Sequence, residues 1–195
     1  MKSLLSRQTI HVPSDQDFDE LATRLRIVAT DLSNGAPVVL DSGPIVDAMY
    51  ASLAIPAVLA PADLNGQLLV DGGVSNNLPV DVALSLGADV IIAVDVSAGN
   101  RSREEIASVL DVSDQLANLL TQQNTAIRLR MLRQSDILIH PQIDAVGSTQ
   151  FNNVAAAIEP GYAATMQLRE RLSRLAVDQE EFAEHLASVR REAPA

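Results

Sequence analysis

The stretch "QLLVDGGVSNNLPVDVALSLGADVIIAVDV", residues 67 to 96, constrains the fold more than any other part of the chain. A short apolar run closes on Asp71 and meets two glycines at once, Gly72 and Gly73. Beyond a loop carrying Asn76 and Asn77, Pro79 suits the first position of a helix that runs to Leu86, and Gly87 suits the residue after its end. The run "ADVIIAVDV" then has strand length and the unbroken apolar character of a parallel strand covered on both faces. Strand, helix and strand in so few residues predict a βαβ unit. Asp71 and Asp95 fall at the carboxyl ends of its strands, where open α/β sheets place ligand sites.

Upstream, "RLRIVATDL" (24 to 32) has the β-branched content of a strand, "SNGAP" reads as a turn in which Asn34-Gly35 tolerates positive φ, and "PVVLDSG" reads as the returning strand of a hairpin. From Pro44, apolar residues at 45, 48, 49 and 53 keep helical spacing until Pro56. Asn65-Gly66 introduces the "QLLVD" strand. From about residue 104 the pattern turns helical to the end, apart from a short strand "DILIH" stopped by Pro141, with a helix break expected near Pro160-Gly161. Amphipathic spacing marks these as docking helices. The whole reads as one α/β domain of 195 residues with a mostly parallel sheet and C-terminal helices over about 104–195.

Composition removes several function classes. A net charge of −11 disfavours nucleic acid as a partner. Arg128, Arg130 and Arg133 read as a solvated helix face, and Arg190 and Arg191 as a helix end. With no cysteine there is neither a disulfide framework nor a thiolate nucleophile, and no metal site is expected. No segment reaches the roughly 18 apolar residues of a membrane span, and the opening residues lack the apolar core of a signal peptide, so the compartment is left open. Aromatics at 3% leave little for stacking on bases or sugars.

An aspartate in a glycine turn has a plain reading, in which the carboxylate caps its own turn through backbone N–H groups. The surroundings favour more: Gly72 and Gly73 let another segment or a substrate approach closely, and Asn76 and Asn77 are costly ahead of a helix unless they hold the loop.

At these residues the chain resembles the patatin-like phospholipases. "DGG" matches that family's Asp-Gly-Gly/Ala motif, "VSNNLPVDVALSLGADVIIAVDV" the segment after it, and "FDELATRLRIVATDLSNG" and "ASLAIPAVLAP" two segments before it, in order over about residues 18 to 97. More weakly, "SVLDVSDQLANLLTQQN", "SDILIHPQI" and "GSTQF" resemble the later part of bacterial members, including those attached to an outer-membrane barrel. The resemblance implies a three-layer α/β/α fold and a cofactor-free lipid acyl hydrolase with a Ser-Asp dyad, acting on a lipid or other ester, with contact to a membrane surface. It makes Asp71 the general base, supported by the loop residues Gly72, Gly73, Asn76, Asn77 and Pro79. No histidine is required, and His11, His140 and His185 stand in no triad order.

The chain departs from that pattern in two respects. It contains no Gly-x-Ser-x-Gly and no glycine-rich oxyanion loop; "GVSNN", "DSGPI" and "VGSTQ" each lack a required glycine. Ser75, Ser52 and Ser42 are not put forward as nucleophiles: Ser75 lacks a strand-to-helix elbow, Ser52 lies in a helix, and Ser42 reads as a turn residue. The chain therefore reads as the downstream part of a patatin domain, inactive alone, with self-association or completion by the missing upstream segment expected. Two alternatives stand beside it. One is a non-enzymatic remnant that binds lipid or protein; the other, the worst fit, is a phosphate-handling enzyme built on Asp31, Asp71 and Asp95.

Overall fold

The computed structural model describes residues 1–10, 12–13, 16–97, 99–100, 102–143 and 151–192. His11, the "GSTQ" of residues 147–150, and the side chains of Arg190 and Arg191 lie outside the described residues. The chain divides into two compact units, Met1–Ser75 with Ala176–Ala195, and Asn76–Leu175.

In the first unit, helix α1 (Lys2–Gln8) precedes strands β1 (Ile27–Asp31) and β2 (Pro37–Leu40), helix α2 (Ile45–Ser52), and strands β3 (Ala62–Leu64) and β4 (Gln67–Asp71). These strands form one sheet in the order β2-β1-β4-β3, and every pairing in it is antiparallel. Two tight turns impose that direction on the β1–β2 and β3–β4 pairs, because connections so short cannot return a strand in parallel. Gly35 (φ +73°) serves the first turn, and Asn65 and Gly66 (φ +53° and +78°) give the second the left-handed pair that hairpins favour. One side of the sheet packs on α2: Leu69 and Ala29 meet Ala51 and Ala62, and a neighbouring cluster joins Phe18, Ile27, Ile45 and Ala48. Helix α8 (Gln179–Glu192) also belongs to this unit and falls in the region expected to be helical from about residue 104.

The second unit holds helices α4 (Val80–Ser85), α5 (Val109–Leu129), α6 (Ile158–Gln167) and α7 (Arg169–Ser173), and a two-stranded parallel sheet of β5 (Ile92–Val94) and β6 (Ile137–Ile139). Helix α3 (Gly73–Asn76) is the short turn at the boundary. Leu78, Val80, Ile91 and Ala93 form the core of this unit, with Leu129, Met131, Leu132 and Leu138 packed against them. Ser108 caps α5, accepting from the Asp111 N–H while the Asp111 side chain accepts from the Ser108 N–H.

The mixed α/β class agrees with expectation, whereas four details differ. Among the described strands only β5 and β6 run parallel, so the sheet is not mostly parallel. Strands β4 and β5 belong to different sheets and do not form a paired βαβ unit. One face of β5 is bare: Ile91, Ala93 and Asp95 are buried, while Ile92, Val94 and Val96, on the alternate face, are about half exposed. Finally, α6 runs through Pro160 and breaks only at Leu168, because Pro160 sits in the first turn, where its missing N–H would have no helical partner.

Leu69 is fully buried at the centre of the first unit's sheet. Leu69→Ala is expected to lower unfolding stability by about 2–5 kcal/mol, read as a fall in the urea midpoint with an unchanged denaturant slope.

Candidate functional site

Asp71 ends β4, its Cα in register with Ala29 of β1. Its N–H donates to the Ala54 carbonyl at 3.0 Å, and the next residue's N–H, that of Gly72, donates to the Ser52 carbonyl at 3.3 Å. The carboxylate turns back on the chain, where Oδ1 accepts the Gly73 N–H at 2.7 Å. Gly72 is buried so closely against β1 that a Cβ added there would run into the Val28 carbonyl oxygen. Only glycine allows this approach without displacing backbone. The turn is therefore held between β1 on one side and the end of α2 on the other.

Two hydroxyls complete the turn. Thr30 Oγ1, almost wholly buried, donates to the Asp71 carbonyl at 2.8 Å and lies 2.8 Å from Ser75 Oγ. A hydroxyl has one proton, so with that of Thr30 directed at the carbonyl, Ser75 must be the donor between the two. Ser75 thus points its proton at Thr30, an arrangement unsuited to a nucleophile activated by Asp71. The other two serines weighed as substitutes are no better placed: Ser42 is exposed and donates to its neighbour Asp41 at 3.1 Å, and Ser52 is the last residue of α2.

Burial pushes the Asp71 carboxyl above its ordinary value, and the Gly73 N–H works against that shift. The side chain is half-buried, so it is desolvated yet open to a reacting group.

The two asparagines begin the second unit. Buried Asn76 donates to Asp81 Oδ1 at 3.0 Å and accepts from Arg128 Nε at 2.9 Å, and Arg128 also pairs with Asp81 at 3.3 Å. Asn77 donates its N–H to Asn124 Oδ1 at 2.8 Å and its side-chain amide to Thr125 Oγ1 and Ser97 Oγ. Pro79 is the N-cap of α4, one position before the helical start expected for it. Arg128 is consequently not part of a solvated face. Arg133 is exposed as expected but lies beyond the end of α5, where it holds Asp136 and donates to the carbonyls of Ala88 and Asp89; its guanidinium keeps the Asp136 carboxyl far below the usual carboxylate range. Sequence reading missed Asn124, Thr125 and Arg128 as partners of the two asparagines.

The other two aspartates are each occupied locally. Asp31 accepts from Ser33 Oγ and N–H, Gln67 and Asn34, with the Ser33 hydroxyl foremost in holding its carboxyl below the ordinary value. Asp95 accepts the Ser97 N–H at 3.0 Å and faces His140 Nδ1 at 3.3 Å. Among the described residues no three His, Asp or Glu side chains gather where they could hold a metal ion.

The raised Asp71 carboxyl carries a stability consequence. The folded state binds this proton more tightly than the unfolded state, so its contribution to stability is full below the ordinary value of 3.8 and is lost as pH rises through the folded value. Asp71→Asn keeps an acceptor for the Gly73 N–H and removes the charge. This variant is expected to melt higher than the parent chain at pH 7, with a smaller advantage at pH 4, in thermal unfolding followed by circular dichroism.

Residues 2–84 match the family model described as patatin-like phospholipase, so the match starts earlier and stops sooner than the ordered motifs alone suggest. An uncharacterized NTE family protein of Mycobacterium tuberculosis (strain ATCC 25618 / H37Rv) is 40% identical over 80 residues, 41% of this chain and 22% of that protein. A second one from the same strain is 27% identical over 158 residues, 70% of this chain and 27% of that protein. Patatin-like phospholipase domain-containing protein 7 of Rattus norvegicus is 34% identical over 99 residues, covering 50% of this chain and 7% of its own length. The chain thus spans only about a quarter or less of the relatives it matches. Asp71-Gly72-Gly73 lies inside the residues, 2–84, over which the chain is similar to the patatin-like phospholipase family.

Proposed function

We propose that this chain carries the general-base half of a patatin-type serine lipid hydrolase, with Asp71 as the base. The observation that carries the reading is a half-buried carboxylate fixed at a strand end by the Gly72 approach and the Gly73 N–H, inside residues matched to the family. In the reaction a serine oxygen attacks the ester carbonyl carbon while its proton passes to Asp71. The tetrahedral intermediate collapses as the ester C–O bond breaks, and Asp71 returns the proton to the departing alcohol. Water, activated by the same carboxylate, then hydrolyses the acyl-serine. A carboxyl raised by burial is a stronger base toward a hydroxyl than an ordinary aspartate.

The serine and the oxyanion donors have no counterpart in these 195 residues, which contain no Gly-x-Ser-x-Gly. An upstream segment bearing both, in the same polypeptide or in trans, completes the site, and a lipid or other ester is the substrate. The second reading, a non-enzymatic binding module, draws on one observation: Leu116, Leu120 and Ile127 of α5 stand about half exposed, a surface suited to an apolar partner.

The isolated chain is expected to hydrolyse a short-chain ester no faster than its Asp71→Asn variant. Supplied with an upstream patatin segment bearing the serine elbow, it is expected to gain activity that Asp71→Asn lowers by about a thousandfold or more, the scale of losing a member of an acyl-transfer dyad. Activity in the completed protein that survives Asp71→Asn would remove Asp71 from the base role.

A further inference from the structure

We propose that Thr30 and Ser75 are positioning residues for Asp71, joined in a hydroxyl clamp that closes the Asp71-Gly72-Gly73 turn from outside. The inference rests on the reading of Asp71 as the general base, and adds two residues that the family motif does not contain.

The geometry is specific. Thr30 lies in β1, in register with Val70, one residue before Asp71 on β4. Its hydroxyl bonds the Asp71 carbonyl and, through Ser75, the first turn of α3, so one buried oxygen ties together three elements: β1, the end of β4 and α3. Inside the turn, Asp71 Oδ1 accepts from Gly73 and the Gly72 carbonyl accepts the Ser75 N–H at 3.2 Å. The carboxylate direction is thus set by an inner bond to Gly73, and the Gly73 position by an outer bond from Thr30 through Ser75. A threonine present only to fill the sheet interior would need no hydroxyl, and valine would match its shape without the desolvation of a polar group.

The test uses the purified 195-residue chain and NMR. Asp71→Asn identifies the Asp71 side-chain carboxyl resonance, and its titration is followed together with the Gly73 amide exchange rate. Thr30→Val, which keeps the shape, is expected to loosen the turn and admit water. Exchange at Gly73 should rise about five- to tenfold, the factor carried by one net hydrogen bond, and the Asp71 midpoint should fall toward the ordinary carboxylate value. Thr30→Ser should return both readouts to near the parent. Ser75→Ala, at the more accessible end of the clamp, should move both in the same direction as Thr30→Val and provides the test if Thr30→Val does not fold.

A threonine with a structural role alone would lower the melting temperature without moving the Asp71 midpoint. A midpoint unchanged or higher in the folded Thr30→Val and Ser75→Ala chains overturns the clamp and leaves the base assignment standing. Conversely, a completed enzyme that keeps its activity in Asp71→Asn removes the base assignment while the clamp's NMR signature persists.

Discussion

The close approach of Gly72 to the backbone of β1 is the constraint on which the rest of the site depends. Strand β4 must lie flat against β1 up to Asp71 and then leave it within one residue, and a side chain at that exit would strike the Val28 carbonyl. The chain solves the exit with glycine, and the carbonyls of Ser52 and Ala54 at the end of α2 take the N–H groups that the ladder no longer pairs. A carboxylate placed at this exit cannot swing freely. Its backbone is bonded on both sides, and its own oxygen is committed to the Gly73 N–H.

That rigidity has an electrostatic counterpart. Most aspartates described in these two units sit where their charge is satisfied: Asp31 in its turn, Asp81 against Arg128, Asp136 against Arg133. Asp71 differs from these three, with its carboxyl raised by burial against the lowering effect of the Gly73 N–H. A carboxylate whose charged form is disfavoured by burial, in a fold that elsewhere pairs its carboxylates, is the kind of local cost that clusters at reaction sites.

Much of the local structure was legible in the sequence because it depends on neighbours in the chain. Asn34-Gly35 and Asn65-Gly66 marked their turns, helical spacing marked α2 and α8, and Asp71 with its two glycines marked the turn that the structure centres on. The β1–β2 hairpin and the parallel direction of β5 were legible, but strand partners were not, because a continuous apolar run such as that of β5 signals burial without naming its neighbour; β5 pairs with β6 and is buried on one face only. Strand β3 was too short and too polar to register. The polar contacts that fix the loops were also hidden. Asn76 meets Arg128 across 52 residues, Asn77 meets Asn124 across 47, and Thr30 meets Ser75 across 45. In one dimension each of these is an ordinary surface polar residue. Only three-dimensional proximity turns a "solvated" arginine into the support of an asparagine.

The most direct measurement for the base role of Asp71 is fluorophosphonate labelling, with peptide mapping, of the chain alone and of the chain completed by an upstream patatin segment, each with and without Asp71→Asn. No labelled serine is expected among these 195 residues, whereas the elbow serine of the completed protein should label, and that labelling should collapse in Asp71→Asn. Labelling of Ser42, Ser52 or Ser75 in the chain alone, or elbow labelling indifferent to Asp71, would contradict it.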